Sequence, residues 1–208
     1  MKLHLGCGPV NLGEDWVHVD RYKRTGWDHV DYIGDVGDLE SATSVKKGET
    51  KLFGLAEVIY ASHVLQYFDW TEAIGVLSHW HKWLAPGGRL LLAVPDFRAL
   101  ADAYVPRGVR VCLPEILGPL YGRMKAGSTY IFHKTAYDYE LIASLLRTVD
   151  FHRIRRLAGF DWAATWKDLL GLSGETCKEV ERAMSSDGSW AVMGSAEISL
   201  NVEAYKRA

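Results

Sequence analysis

The chain contains 208 residues with a formal net charge of -2, and its 48% hydrophobic and 24% charged residues are the balance of one ordinary globular domain. No run of five or more like charges occurs, so we expect no nucleic-acid partner, since a phosphate backbone is bound by a basic surface. No 18 consecutive apolar residues occur, so no membrane-spanning helix is predicted. Three scattered cysteines and the lack of a signal-peptide pattern predict a reduced, cytoplasmic location.

Short apolar runs bounded by Gly, Asp or Pro predict the strands of a parallel sheet. In chain order they are KLHL, WVHV, HVDYIG, AEVIYA and RLLLAV. Only ten residues separate Leu5 from Trp16, whereas a strand–helix–strand crossover needs about a dozen or more. The first crossover is therefore predicted to lack its helix.

The stretch DWTEAIGVLSHWHKWLAPGG predicts a helix between the fourth and fifth strands. Thr71 is expected to cap its start, with Glu72 in the first turn, where the helix dipole favours an acidic side chain. Pro86-Gly87-Gly88 is expected to end it. The apolar face at helical spacing consists of Ala73, Leu77, Trp80 and Leu84.

A second helix is predicted from about Tyr137 to Val149, with Leu141, Leu145 and Val149 in register. FHRIRRLAG and AEISLNVEAYK then predict antiparallel strands at the sheet edge, each with one exposed face because polar and apolar residues alternate. The segments 98–136 and 160–195 are predicted as insertions on the substrate side, and the second holds three tryptophans and a helical pattern. A packed surface subdomain is the alternative for 160–195.

Together these elements predict an α/β fold in a single domain spanning 1–208. Its sheet is doubly wound, mostly parallel and seven-stranded, with a shortened first crossover and an antiparallel last strand. The carboxyl ends of parallel strands meet at one edge, which is where such sheets bind ligands.

The first loop indicates which cofactor that edge could hold. A dinucleotide fingerprint requires a third glycine where this chain has Asn11, and an acid later than Asp20. S-adenosylmethionine (SAM) has no phosphates and needs no helix dipole, while glycines at 6 and 8 let the backbone approach it. Asp20 can accept from both ribose hydroxyls, and Asp35, with Asp38 as substitute, from the adenine amino group.

Four pieces of the sequence carry a family resemblance. LHLGCG, the acid of VHVD, the acid of YIGDVGDL, and LAPGGRLLLAVPDF resemble, in order and spacing over residues 2–97, the motifs of class I SAM-dependent methyltransferases. With ASHVLQYF and FHKTAYD they resemble a compact subgroup that has a shortened first crossover and is associated with modification of cell-surface polysaccharides or sugars. The resemblance implies a Rossmann-like fold, SAM as methyl donor with S-adenosylhomocysteine as product, and a sugar or glycan acceptor.

The chain departs from the family pattern at three places. Pro9-Val10 replaces the segment with the third glycine, His4 replaces the acid before the glycines, and Tyr67 stands where the subgroup's HVLEH ends in histidine. The expected cofactor-binding residues are Leu5, Gly6, Cys7, Gly8, Asp20, Arg21, Asp35, Val36, Ser62 and His63.

Methylation of a hydroxyl profits from a general base, and three residues are candidates: His133, Asp96 and His63. We expect His133 to be the base and Asp96 to orient it or the acceptor. Each also has a structural interpretation: His63 and His133 as histidines bonded to backbone, and Asp96 as the cap of a helix beginning near Phe97. Their ligand types suit a divalent metal, but no compact spacing is present and no metal is predicted.

Five further residues have either two interpretations or a structural one. Lys134 and Arg123 could contact an anionic acceptor or be solvated. His79 and His81 are expected to be surface or packing residues, and Cys7 to be selected for its small size.

The leading hypothesis is a SAM-dependent O-methyltransferase acting on a hydroxyl of a sugar, a glycan or another small molecule. One alternative is a non-catalytic SAM- or nucleoside-binding module in a glycan-assembly complex. Another is a sugar-nucleotide glycosyltransferase, which the lack of an Asp-x-Asp motif disfavours. The sequence does not indicate an oligomeric state.

Overall fold

A computed structural model of the chain describes five stretches: 1–45, 54–104, 113–126, 129–157 and 199–208. The predicted insertion 160–195 lies outside these described residues, as does the helical pattern within it. The other predicted insertion, 98–136, is described in part and contains two helices and a hairpin.

Ten strands and four α-helices are present in the described residues. The strands are β1 (Lys2–Leu5), β2 (Trp16–Asp20), β3 (Tyr32–Ile33), β4 (Thr43–Ser44), β5 (Ala56–Ser62), β6 (Leu84–Pro95), β7 (Met124–Ala126), β8 (Thr129–Ile131), β9 (Phe151–Arg156) and β10 (Ser199–Lys206). The helices are α1 (Glu72–Trp83), α2 (Phe97–Tyr104), α3 (Leu113–Tyr121) and α4 (Tyr139–Thr148), and a 3₁₀ turn covers Leu65–Tyr67.

The main sheet has the strand order β4-β3-β2-β1-β5-β6-β10-β9, and β7 pairs with β8 in a separate hairpin. Strands β3, β2, β1, β5 and β6 run parallel, whereas β10 is antiparallel to both of its neighbours. The predicted α/β fold with antiparallel C-terminal strands is confirmed, and the two-residue β4 adds an eighth strand to the seven expected. The parallel strands end together at what we call the carboxyl edge.

The first crossover contains no helix, as predicted. Residues 6–15 form a loop whose backbone is hydrogen-bonded by one side chain of the loop and one of β2. The Asn11 Oδ1 accepts a hydrogen bond from the Gly13 N–H at 2.9 Å, and the His18 Nε2 accepts one from the Leu12 N–H at 3.0 Å. The buried His18 ring of β2 therefore provides a hydrogen-bond partner for the loop's backbone. In a longer crossover such backbone groups would be satisfied within a helix.

Helix α1 begins differently from the prediction. The Thr71 side chain makes no capping hydrogen bond. Instead, the Asp69 Oδ1 accepts from the N–H groups of Thr71 and Glu72 at 2.8 and 2.9 Å, and the Glu72 carboxylate accepts from the Asp69 N–H at 2.8 Å. The prediction of Thr71 as cap was wrong because an aspartate two residues earlier reaches the same backbone donors. The helix also ends earlier, at Trp83, before the proline and glycines.

The apolar core lies between the sheet and helices α1 and α4, which contact each other. Trp80 is fully buried, and its indole N–H donates to the Val36 carbonyl at 2.7 Å, which ties α1 to the loop after β3. In α4 the buried residues are Ile142, Ala143, Leu145 and Leu146. Leu141, predicted to be in register with Leu145, is exposed instead. The helix begins at Tyr139, after its cap Asp138.

Strand β10 is not an edge strand with one exposed face, as the alternation predicted. It lies between β6 and β9, and its alternating polar residues Ser199, Asn201 and Glu203 are only 8%, 2% and 0% exposed. The Glu203 carboxylate is paired with Arg155 of β9 at 2.5 Å and Arg89 of β6 at 3.4 Å. Neighbouring guanidinium groups supply the charge compensation that a buried carboxylate needs, so alternation here does not indicate solvent.

Two further observations bear on ligands. No helix in the described ranges has both the length and the apolar character needed to cross a membrane. A small, almost wholly apolar cavity of about 20 Å³ lies against the sheet and has no charged lining residue, so it is too small for a nucleoside cofactor. Its lining residues are Leu3, Val17, Val19, Tyr32, Leu39, Ala42 and Trp83.

We expect Trp80→Phe to lower the free energy of unfolding by about 1–3 kcal/mol, because the buried Val36 carbonyl loses its donor. Urea denaturation followed by circular dichroism measures this. The matched control is Trp70→Phe, an exposed tryptophan, which should leave stability unchanged. Equal stabilities for the two variants would contradict the assignment.

Candidate active site

The loop after β1 begins with two closely spaced glycines of left-handed backbone. Gly6 has φ = +65° and Gly8 has φ = +53°. A Cβ on Gly6 would overlap the Val64 side chain, whereas a Cβ on Gly8 would meet nothing within 4 Å. Gly6 is therefore required for packing against the segment after β5, and Gly8 leaves open space beside the backbone at the carboxyl edge.

Asp20, the last residue of β2, faces this loop. Its Oδ2 accepts from the Gly8 N–H at 2.8 Å and its Oδ1 from the Tyr22 N–H at 3.0 Å. A carboxylate has about four lone-pair sites, so two acceptor positions remain for a ligand. The structure thus brings together Gly6, Gly8 and Asp20 as the sequence predicted, with a direct hydrogen bond between the last two.

Asp35 and Arg21 form an ion pair of 3.0 Å beyond the ends of β3 and β2. The other Asp35 oxygen accepts from the Gly37 N–H at 2.8 Å, so the carboxylate is held on the sheet's rim. Both side chains are exposed to solvent, which makes the pair weak in itself. Val36 is buried, and its carbonyl accepts the hydrogen bond from Trp80 of α1. The group that this residue could offer to a ligand is therefore its backbone N–H.

Two residues near this rim were not identified from the sequence. A Cβ on Gly37 would lie 3.0 Å from Cε1 of Phe68 and 3.2 Å from Asp35 Oδ1, so the Phe68 ring lies beside the Asp35 carboxylate. The His29 Nε2 lies 3.0 Å from the Gly8 carbonyl oxygen and donates to it. Phe68 stands within ASHVLQYF, but only the structure shows that its ring reaches the loop after β3.

Three histidine rings pack beneath the glycine loop. His4 and His18 have ring centroids 5.5 Å apart, and His18 and His29 are 5.2 Å apart. Burial and, next, the neighbouring histidines lower the pKa of His18 to about 4 and that of His4 well below its ordinary value. A neutral His18 ring therefore holds the loop through the Leu12 N–H, and the His29 ring holds it through the Gly8 carbonyl.

Cys7 lies in the same loop and is buried. Burial, and then the Asp20 carboxylate, raise the pKa of its thiol well above the ordinary value. A thiol held protonated is a poor nucleophile. Cys7 therefore suits the loop because it is small, as the sequence analysis expected, and not because it is reactive.

His63 follows β5 at the carboxyl edge, with Ser62 as the strand's last residue. Its φ of +53° is unusual for a residue other than glycine and turns the ring toward β10, where Nε2 lies 2.8 Å from the Ser199 Oγ. Burial first, and His133 second, lower the pKa of His63 to about 3. The ring is therefore neutral at physiological pH.

His133 belongs to a segment that returns to the carboxyl edge after β8. Its backbone N–H donates to the Tyr121 carbonyl at 2.6 Å, and its Nδ1 lies 3.1 Å from the Pro119 carbonyl. Because a carbonyl only accepts, Nδ1 carries the ring proton and Nε2 keeps a lone pair. Burial lowers the pKa of His133, so it is a neutral ring with a basic nitrogen.

Backbone hydrogen bonds fasten this segment to the turn after His63. The Gln66 carbonyl accepts from the N–H groups of Lys134 and Thr135 at 2.7 and 3.4 Å, and the Thr135 Oγ1 donates to the Phe68 carbonyl at 2.9 Å. These bonds bring His133 close enough to His63 to disfavour its protonation. The predicted pair of histidines therefore lies together at the carboxyl edge.

Asp96 has structural partners. Its Oδ1 accepts from the N–H groups of Arg98 and Ala99, which makes it the cap of α2, and its Oδ2 accepts from Arg156 at 2.5 Å. The capping interpretation is therefore confirmed. Asp96 and His133 belong to separate hydrogen-bonding groups, since the His133 Nδ1 is bonded to Pro119.

The two cations considered for an anionic acceptor also have partners. Lys134 pairs with Glu72 at 2.9 Å, and the Arg123 guanidinium stacks 3.8 Å from the Tyr130 ring centroid. His79 accepts from the Leu39 N–H at 2.9 Å, so its predicted packing role is confirmed, and the His81 ring packs edge-on against Phe151 at 4.9 Å. In the described part of the chain no three His, Cys, Asp or Glu side chains are grouped to hold a metal ion.

Solved structures with this fold are found among methyltransferases. A SAM dependent methyltransferase from Archaeoglobus fulgidus matches with a TM-score of 0.52 and 13% identity, over 99% of this chain and 85% of that one. The 1,6-didemethyltoxoflavin-N1-methyltransferase of Burkholderia thailandensis, crystallised with 1,6-didemethyltoxoflavin and S-adenosylhomocysteine, matches with a TM-score of 0.50 and 13% identity over 100% and 71%.

A third structure is phosphoethanolamine N-methyltransferase 2 of Haemonchus contortus, in complex with phosphomonomethylethanolamine and S-adenosylhomocysteine. It matches with a TM-score of 0.53 and 12% identity over 100% of this chain and 48% of its own, so this chain spans about half its length. No protein-family model matches the sequence, and no curated protein matches it. At such identities the similarity is one of fold: the chain has the Rossmann-like fold of SAM-dependent methyltransferases.

The buried histidines make stability depend on pH. The pKa of His18 is about 4 in the folded chain and 6.5 in its ordinary state, so between these values the unfolded chain binds more protons. The stabilisation is complete above pH 6.5 and is lost as the pH falls toward 4. We expect this side chain to lower the free energy of unfolding by about 3 kcal/mol over that range.

Urea denaturation at several pH values tests this expectation with His18→Phe. The variant is less stable at pH 7, because the Leu12 N–H loses its acceptor. Its free energy of unfolding nevertheless changes less between pH 6.5 and 4 than that of the natural chain. An identical slope in both proteins would contradict the role of His18.

Proposed function

We propose that the protein is a SAM-dependent methyltransferase that methylates a hydroxyl of a sugar, a glycan or another small molecule. The observation that carries the proposal is the 2.8 Å hydrogen bond between the Gly8 N–H and Asp20, with open space beside Gly8. The bond joins a glycine, which has no side chain, to a carboxylate that has unused lone pairs. Both lie at the carboxyl edge, where sheets of this type bind ligands.

The residues present fit SAM. The backbone from Leu5 to Gly8 would pass the amino-acid end and the sugar, and Asp20 would accept from the ribose hydroxyls. Asp35, the Val36 N–H and the Phe68 ring would border the adenine, with Arg21 holding Asp35 in place. Ser62 and His63, at the end of β5, would adjoin the reactive end.

When bound, SAM supplies a methyl group on a positively charged sulfur. The chain's own contribution is to hold the acceptor in line and to take its proton, and positioning of this kind can contribute about 7–11 kcal/mol to a barrier. His133 would accept the hydroxyl proton at Nε2, while its Nδ1 keeps its own proton and donates it in a hydrogen bond to the Pro119 carbonyl. The neutral His63, fixed by Ser199, forms the opposite wall of the acceptor site.

The electrostatics support a neutral hydroxyl acceptor over an ammonium. Both histidines are neutral, and the carboxylate of Asp96 is compensated by Arg156. No uncompensated carboxylate is described beside the two rings to attract a cation.

Aromatic side chains support the sugar class. Phe97, Tyr121 and Phe132 are exposed around the segment that carries His133, and exposed rings of this kind stack on the apolar faces of sugar rings. Phe97 also borders a shallow surface depression beside this segment. The depression is lined by Pro95, Phe97, Leu100, Pro119, Leu120, Thr135 and Ala136. The motif resemblance to the sugar-modifying subgroup points to the same acceptors.

Asp20→Ala should weaken binding of SAM and S-adenosylhomocysteine by about one to two orders of magnitude, because the ribose loses a charged acceptor. Isothermal titration calorimetry measures the affinity. Asp15→Ala, which removes an exposed carboxylate just before the other end of β2, should bind like the natural chain. Asp20→Asn keeps an acceptor for the Gly8 N–H and separates loop collapse from loss of charge. Unchanged affinity in both Asp20 variants would refute the cofactor site.

His133→Ala should lower methyl transfer roughly 10²–10⁴-fold while leaving S-adenosylhomocysteine affinity intact. The assay is transfer of labelled methyl to a panel of free, phosphorylated and oligomeric sugars, with small alcohols and amines for comparison. Burial lowers the pKa of His133 from its ordinary value of 6.5. Activity should therefore persist as the pH falls below 6.5 and should decline only below that lowered pKa. The control is His152→Ala on β9. Binding of SAM without transfer to any hydroxyl would favour the non-catalytic module.

A further inference from the structure

The corner after α3 places a glycine directly against the His133 ring. Gly122 has φ = +53°, and its N–H donates to the Gly118 carbonyl at 2.7 Å, which closes the helix. A Cβ on Gly122 would lie 2.6 Å from Cδ2 and 2.8 Å from Cε1 of the ring, and closer still to Nε2. Atoms cannot approach so closely, so any side chain at 122 displaces the imidazole.

The ring has no alternative position that keeps its other contacts. Its Nδ1 is bonded to the Pro119 carbonyl, and its backbone N–H to the Tyr121 carbonyl in the same corner. On another side it packs edge-on against the Tyr67 ring, with centroids 5.0 Å apart and planes at 79°. Moving the Nε2 edge away from Gly122 therefore breaks the hydrogen bond at Nδ1, the contact with Tyr67, or both.

We propose that Gly122 is a positioning residue whose missing side chain fixes His133 in the tautomer and orientation that leave a lone pair on Nε2. It acts through His133 and touches no reacting atom. The catalytic meaning of this inference rests on the proposed function. The placement of the ring by Gly122 does not, and it can be measured without any methyl acceptor.

Two substitutions and two controls isolate the contact. Gly122→Ala introduces the overlapping Cβ, and Gly122→Asn introduces it with a residue that tolerates positive φ. Gly118→Ala adds a Cβ one turn earlier in the same helix, where nothing lies within 4 Å. Gly87→Ala, at φ = +74° with nothing within 4 Å, measures the cost of positive φ alone.

The first readout is the ring tautomer, from the imidazole ¹⁵N shifts of His133 in long-range ¹H–¹⁵N spectra. We expect the Nδ1–H tautomer in the natural chain and both controls, and a mixture of tautomers in the two Gly122 variants. The second readout is methyl transfer, which should fall at least tenfold in the Gly122 variants at unchanged S-adenosylhomocysteine affinity. Its low-pH limb should move up toward the ordinary histidine value of 6.5.

Natural ¹⁵N shifts in folded Gly122→Ala or Gly122→Asn would overturn the inference. So would equal losses of transfer in Gly87→Ala and Gly122→Ala, since positive φ would then account for the effect. Altered shifts in the Gly122 variants, together with no methyl transfer by the natural chain, would uphold the placement of His133 and refute the proposed function.

Discussion

The hydrogen bond from the Gly8 backbone to the Asp20 carboxylate is the constraint on which the site depends. It ties the first loop to the end of the neighbouring strand across a crossover too short for a helix. The rings of His18 and His29 hold that loop from below. A longer chain would brace such a loop with a helix, whereas this one uses histidine rings. The geometry of the site and the loss of stability in acid therefore have the same origin in His18.

A second group of interactions builds the acceptor side. His63 is turned toward β10 by its backbone and meets Ser199, while His133 arrives from the corner after α3 and is fastened to the turn beyond His63. The position at which the resembling subgroup carries a histidine is Tyr67 here, and the His133 ring packs against that tyrosine. The departure in sequence is thus accompanied by an imidazole supplied from another segment.

Local patterns predicted the parallel strands, the helix-free crossover, α1 and the placement of Gly8 and Asp20 at one edge of the sheet, because these depend on short-range turns and on the shared edge of parallel strands. The predictions were wrong where residues distant in the sequence determine whether a side chain is buried. Alternation in β10 indicated an exposed face, but Arg89 and Arg155 on other strands make burial of Glu203 tolerable. Likewise the roles of Gly122 and Phe68 follow from contacts with residues far along the chain or on other elements, which spacing alone does not reveal.

The central place of β10 has a consequence for biosynthesis. In the described part of the chain, strand β9 pairs in the main sheet with β10, and Ser199 of β10 lies within hydrogen-bonding distance of His63. Strand β10 is translated after β1 to β6 and the loops that hold Gly8 and Asp20. In the proposed methyltransferase, the residues that would hold SAM are therefore synthesised before the strand that completes the acceptor side.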